Sequence, residues 1–164
     1  MPMIAAALFF AFSAAAGETE FDYWSNHKVG SWVKLKMELD ANGVKLQINT
    51  RHTLSESGAD KVVVERKNKV TMNGMDNPEE TEKEEILKGK DKDPIKIEKE
   101  SDEEIEVAGK KMKCHVIEGT QKDGTHKVKF WVNKDVPGGV VKAEVSGGDI
   151  PAPMKIVATE WEKK

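Results

Sequence analysis

Five side chains of this 164-residue chain carry the chemistry of metal binding and nucleophilic catalysis: His27, His52, His115, His126 and the single Cys114. Imidazole and thiolate are the ligands that zinc and copper prefer. Their spacing builds no ligand set. Cys114 and His115 are adjacent, and successive side chains of a strand face opposite sides, so the pair cannot share an ion without a bulge. The sequence holds no G-x-S-x-G elbow, no G-x-x-x-x-G-K-[ST] phosphate loop, no H-E-x-x-H helix and no C-x-x-C. Its acidic residues do not fall at the spacing of a calcium-binding EF-hand loop. An enzyme would need two or three of His27, His52, His115, Asp135 and the Glu cluster to converge in a cleft. No cofactor and no metal is implied, and nothing in the residues argues for a catalytic assignment. Cys114 has no partner for an internal disulfide. It shares a strand face with Met112 and Val116, which reads as a buried small hydrophobe rather than a reactive thiol.

Aromatic residues give the better candidates for binding. Trp32 and Trp131 each fall on the Lys-bearing face of an alternating segment, and Lys134 follows Trp131 closely. Trp161 lies opposite Met154 and Ile156. Two readings stay open. The segment Phe21–Trp24 covers these rings as a lid, or Trp32, Trp131 and Lys134 line a ligand-binding groove in a concave sheet.

The elements that would position them are strands. Val and Ile total 25 against six Leu, and β-branched side chains favour a pleated surface. Ser31–Leu39 alternates Val33, Leu35, Met37 and Leu39 against Trp32, Lys34, Lys36 and Glu38. Gly43–Leu54 places Val44, Leu46, Ile48 and Leu54 together, and Asn42-Gly43 between the two segments is a hairpin signal. A third strand runs over Lys61–Met72, with an interruption expected at Lys67-Asn68. Ile95-Lys96-Ile97 starts a further strand. Glu104–Val107 and Lys111–Ile117 flank a turn at Ala108-Gly109-Lys110. Asp123-Gly124 turns into Thr125–Val132. Pro137-Gly138-Gly139 turns into Val140–Val145, and the Pro-Gly order predicts a type II turn with positive φ at Gly138. Met154–Trp161 closes the series. The prediction is an all-β fold: one curved antiparallel sheet or half-open barrel of eight or nine strands. A short helical segment is predicted within Phe21–Val29. Pro78–Leu87 reads either as a helix capped by Asn77 or as a polar edge strand.

Charge and hydropathy divide the chain. Residues 1–16 carry no charge, and all but Pro2 and Ser13 are apolar. They read as a secretory signal peptide cleaved between Ala16 and Gly17, which leaves one β-rich domain over 17–164. The apolar run is shorter than the ~20 residues of a membrane-spanning helix, so no span is expected in the mature chain. No cysteine follows the run as a lipid anchor would require. The net charge is −3, which lacks the basic footprint of a nucleic-acid partner. Residues 76–106 hold 14 acidic and six basic side chains, a local charge of −8. They read as a solvated face, with attraction of cations or a basic partner as the alternative.

Two stretches carry a resemblance. Glu106-Val107-Ala108-Gly109-Lys110-Lys111-Met112-Lys113-Cys114-His115-Val116 and Phe130-Trp131-Val132-Asn133-Lys134-Asp135-Val136-Pro137-Gly138-Gly139-Val140-Val141-Lys142 resemble poorly characterised bacterial exported proteins. In those a V-x-G-K-x-Y/M-x-C hairpin precedes a W-x-x-x-x-V-P-G-G-V-V-K turn. That group is similar to the half-open β-barrels of the periplasmic lipoprotein carriers. The likeness spans residues 104–161 and implies a curved sheet in the cell envelope without implying an activity. The resulting expectation is an exported protein, periplasmic or extracellular, of non-enzymatic binding or accessory type, with an envelope protein or an apolar ligand as partner. The alternative is a carrier of a hydrophobic ligand or lipid-modified segment.

Overall fold

The computed structural model describes residues 18–90, 95–121 and 124–164. The expected signal peptide and Asp123 of the Asp123-Gly124 turn lie outside the described residues. One short helix, α1 (Glu20–Ser25), precedes ten strands: β1 (Trp32–Ala41), β2 (Val44–Ser57), β3 (Lys61–Met72), β4 (Met75–Asp76), β5 (Glu80–Leu87), β6 (Ile95–Val107), β7 (Lys110–Gln121), β8 (His126–Val132), β9 (Val140–Gly147) and β10 (Met154–Glu162). They form a single open antiparallel sheet ordered β4-β3-β2-β1-β10-β9-β8-β7-β6, with β5 also paired to β3. The all-β curved sheet is as expected, and α1 falls where a helical turn was predicted.

The described residues form ten strands rather than eight or nine: two segments add a strand each, and one merger removes one. Asn73-Gly74 turns the chain so that Met75 and Asp76 pair back onto β3. Pro78–Leu87 takes the edge-strand alternative, since Glu80–Leu87 pairs with Lys61–Asn68 along its whole length. The Ile95 and Glu104 segments are one strand of 13 residues. The expected interruption of β3 is absent, because Lys67 and Asn68 continue the ladder opposite Arg51 and Thr50.

Turn chemistry fixes the register. Asn42-Gly43, Asn73-Gly74 and Ala108-Gly109 each place two consecutive residues at positive φ. That is the type I′ geometry that matches strand twist in a two-residue hairpin. With Ala41 opposite Val44, the β1–β2 register runs unbroken to Trp32 opposite Thr53. Val33, Met37, Leu46, Ile48 and Leu54 are thereby buried on one side. From β8, β9 and β10, Phe130, Ala143, Val145, Met154 and Ile156 cluster with Met37, Leu46 and Ile48, while Val33 and Leu54 join a second cluster with Trp24, Val62 and Val64. Each large aliphatic side chain fully buried there contributes roughly 1.5–3 kcal/mol.

Six residues are too few for a helix that stands alone, so α1 depends on what it touches. The Asp22 carboxylate accepts hydrogen bonds from the Thr19 N–H (2.6 Å) and the Thr19 hydroxyl (3.0 Å). Phe21, Tyr23 and Trp24 are all buried. Their seat includes the turn Val136-Pro137-Gly138-Gly139, closed by the Gly139 N–H donating to the Val136 carbonyl (2.8 Å). Gly138 has φ +78°, as the type II prediction requires, and a Cβ there would lie 2.8 Å from the Trp24 ring.

Candidate functional site: a recess beneath the N-terminal helix

The open sheet leaves a recess between β1–β3, β8–β10 and α1, with a volume of about 70 Å³. Val33, Leu35, Met37, Phe130 and Ile156 supply apolar wall, and Trp24 and Gly138 supply part of the rim. Thr50, His52, Arg66 and Glu20 supply the polar lining.

That polar group is a product of the β2–β3 register. Thr50 opposes Asn68 and His52 opposes Arg66. These residues occupy the same phase of the alternation as Ile48, Leu54, Val62 and Val64, so they enter the apolar side of the sheet. Thr50 Oγ1 donates to Asn68 Oδ1 (2.6 Å), which satisfies the hydroxyl inside the protein. The Arg66 side chain is only 7% exposed. Its Nη2 meets Glu20 Oε1 of α1 at 3.2 Å, and its Nη1 pairs with Glu84 of the edge strand β5. Burial lowers the pKa of Arg66, while Glu20 and Glu82 oppose that effect. His52 is held well below the usual imidazole range, first by burial and then by the neighbouring Arg66 charge. A neutral imidazole therefore stands beside a paired guanidinium.

The three residues singled out as binding candidates do not line this recess. Trp131 is 4% exposed and belongs to an apolar cluster with Val116, Cys114 and Val141. Its Nε1 donates to Glu103 Oε2 (2.8 Å), and Lys129 and Lys142 lie 4.6 and 4.3 Å from its ring. Trp32 is half-buried, with the Arg51 guanidinium 4.2 Å and Lys34 5.3 Å from its ring. Lys134 lines a wider, more open groove of about 410 Å³ with Tyr23, Lys113, His115 and Asn133, and it pairs with Glu18. Trp24 seats on the glycine turn and the recess, and Phe21 and Trp24 share an apolar cluster with Trp131, while Lys and Arg side chains also lie against the Trp32 and Trp131 rings.

Among the described residues no three His, Cys, Asp or Glu side chains converge as a metal site. Cys114 is buried, and burial raises its pKa. His115 is half-exposed and binds Asp102 (2.9 Å). Thr125, His126 and Asp149 form a hydroxyl–imidazole–carboxylate line, with distances of 2.8 and 3.4 Å. The order is that of a catalytic triad. The Asp149 side chain, however, is 97% exposed, so water competes for the carboxylate that would have to orient the imidazole. No described helix is long and apolar enough to cross a membrane.

The sequence carries one further signal for the recess, which apolar periodicity alone does not reveal. Thr50, His52, Arg66 and Asn68 are polar residues on the apolar phase of two alternating strands. On β2, Thr50 and His52 continue the phase of Val44, Leu46, Ile48 and Leu54, and a polar residue in that phase is marked for burial.

No family model matches this chain, and no curated protein matches it. Among solved structures, the crystal structure of MucB is similar at 12% identity, with a TM-score of 0.43. The match covers 88% of this chain and 56% of that one, so this chain spans little more than half the length of MucB. A likeness at that level carries no argument about function.

Proposed function

We propose that this protein is a non-enzymatic binding module of the bacterial cell envelope and that the recess beneath α1 is its site. The observation that supports this reading is the recess itself, an apolar-walled pocket on an open sheet that meets a buried, carboxylate-held arginine. Few convergent polar groups in an apolar concavity are the usual make-up of a small-molecule site. At about 70 Å³ the space is well below the ~300 Å³ at which ligand pockets begin. Carriage of a larger hydrophobic ligand therefore requires Trp24 and α1 to move aside. Lys134 in the open groove and Trp32 near the surface are proposed as contacts for a protein partner, separate from the recess.

A neutral fluorescent probe, N-phenyl-1-naphthylamine, tests the reading. Trp24→Ala enlarges the recess and should raise probe binding several-fold. Ala143→Leu fills it and should lower binding by a comparable factor. Binding unchanged in both folded variants would show that the recess is not the site.

A further inference from the structure

We propose that the recess selects an amphiphile with a single apolar chain and an anionic carboxylate head, and that the head docks on Arg66 in place of Glu20. The inference rests on the recess being the binding site.

Two of the carboxylates around Arg66, which also include Glu82, differ in standing. Glu84 belongs to β5, which is hydrogen-bonded to β3 along eight residue pairs, from Lys61–Leu87 to Asn68–Glu80. Glu20 belongs to α1, a six-residue helix outside the sheet. One partner is part of the scaffold, and the other leaves whenever α1 leaves. Within those six residues α1 offers both halves of an amphiphile to one recess: the Glu20 carboxylate on Arg66 and the Trp24 indole beside the apolar wall. The helix therefore occupies the recess as an internal stand-in for such a ligand.

The surrounding polar groups narrow the head group. Thr50 and Asn68 are bonded to one another. His52 is neutral and adds no competing charge. Once Glu20 is withdrawn, Nη2 of the buried guanidinium loses a charged acceptor, a loss that is disfavoured at a buried cation and that a ligand carboxylate makes good. A carboxylate restores the contact and leaves the charge around Arg66 unchanged, because one carboxylate takes the place of another. An alkyl chain ending in hydroxyl restores at most a weaker, neutral hydrogen bond.

Decanoate and decan-1-ol, titrated calorimetrically into the purified protein below their aggregation limits, separate the possibilities. In an uncharged apolar pocket the alcohol should bind more tightly, because the carboxylate is costlier to desolvate. The expected result is the reverse, with decanoate at least tenfold tighter. Glu20→Gln should tighten decanoate further by removing the internal competitor. Arg66→Met combined with Glu20→Gln and Glu84→Gln removes these three charges together and should abolish the preference for decanoate. Should that triple variant fail to fold, the wild-type ratio and Glu20→Gln still decide. Equal affinities, or a tighter alcohol, in the wild-type protein would overturn the head-group inference while leaving the recess as an apolar site. Binding of neither compound, with no probe binding at the recess, would overturn both readings.

Discussion

Gly138 meets two demands at once. Its φ of +78° is open to glycine without a Cβ clash, and its Cα faces the Trp24 ring. Gly43 has the same sign of φ, +80°, but open space where a Cβ would stand. Gly43→Ala should therefore cost only the left-handed backbone penalty, about 1–2 kcal/mol. Gly138→Ala should cost clearly more, and Gly138→Val more again. Urea unfolding of the three variants measures the difference, and equal losses for Gly43→Ala and Gly138→Ala would contradict the seat of Trp24 on the turn. Trp131 and Lys134 divide in the same manner. Trp131→Ala empties a buried site and should cost about 3–5 kcal/mol. Lys134 has a side chain 64% exposed and only a surface pair with Glu18, so Lys134→Ala should change stability by less than about 1 kcal/mol. A near-zero loss for Trp131→Ala would place that ring among the exposed binding residues instead.

At the scale of the element, the β2–β3 pair imposes a pH dependence. Its register sets His52 against Arg66 on the buried side of the sheet. Burial and that charge lower the folded-state pKa of His52, and burial lowers that of His27. In the unfolded chain both imidazoles take up protons near the ordinary value of about 6.5. Between the folded and unfolded pKa values the unfolded state binds more protons, so stability rises with pH. The contribution is complete above about pH 6.5 and is lost as pH falls below it. Urea midpoints measured at about pH 7.5, 6 and 5, which bracket that value, should fall in that order. His52→Leu, which keeps the site apolar and cannot titrate, should flatten the decline. A decline as steep as in wild type would place the acid sensitivity elsewhere, with His27 the next residue to replace.

Across the whole molecule, the acidic stretch 76–106 acquires a position that explains it. Its strands β5 and β6 follow one another in sequence yet lie at opposite ends of the sheet, β5 on β3 and β6 beyond β7. The stretch with local charge −8 thus supplies edge strands at both ends of the open sheet. Charged side chains on an edge oppose pairing with another chain, and like charges at both ends oppose edge-to-edge contact between copies. Replacing Glu100, Asp102 and Glu104 on β6 by Thr should promote self-association, read as a rise in mass by light scattering at moderate salt. A strictly unchanged mass would show that the charges have no such role. The expected leader is tested separately: protein from the native host should begin at Gly17 by intact mass, and retention of Met1 would refute export by cleavage.

Period-two alternation and turn chemistry are enough to read much of this protein from its sequence. Val33, Met37, Ile48 and Leu54 are buried as their spacing predicts, and Asn42-Gly43 and Pro137-Gly138-Gly139 turn as their φ preferences demand. Those are local properties, set by side-chain phase and by which residues tolerate positive φ. The edge-strand outcome for Pro78–Leu87 is legible only as one of two alternatives, because polar residues carry no periodicity that separates helix from edge strand. The recess is decided by tertiary structure. His52 meets Arg66 only through hairpin register, and Glu20 reaches Arg66 across 46 positions only when α1 packs on the sheet. Trp131 illustrates the same limit from the other side. Its phase places it among lysines, and their alkyl chains and charges, together with Glu103 from β6, bury it. Which neighbour covers a residue is a property of strand order, and strand order is fixed by long-range pairing that local sequence does not encode.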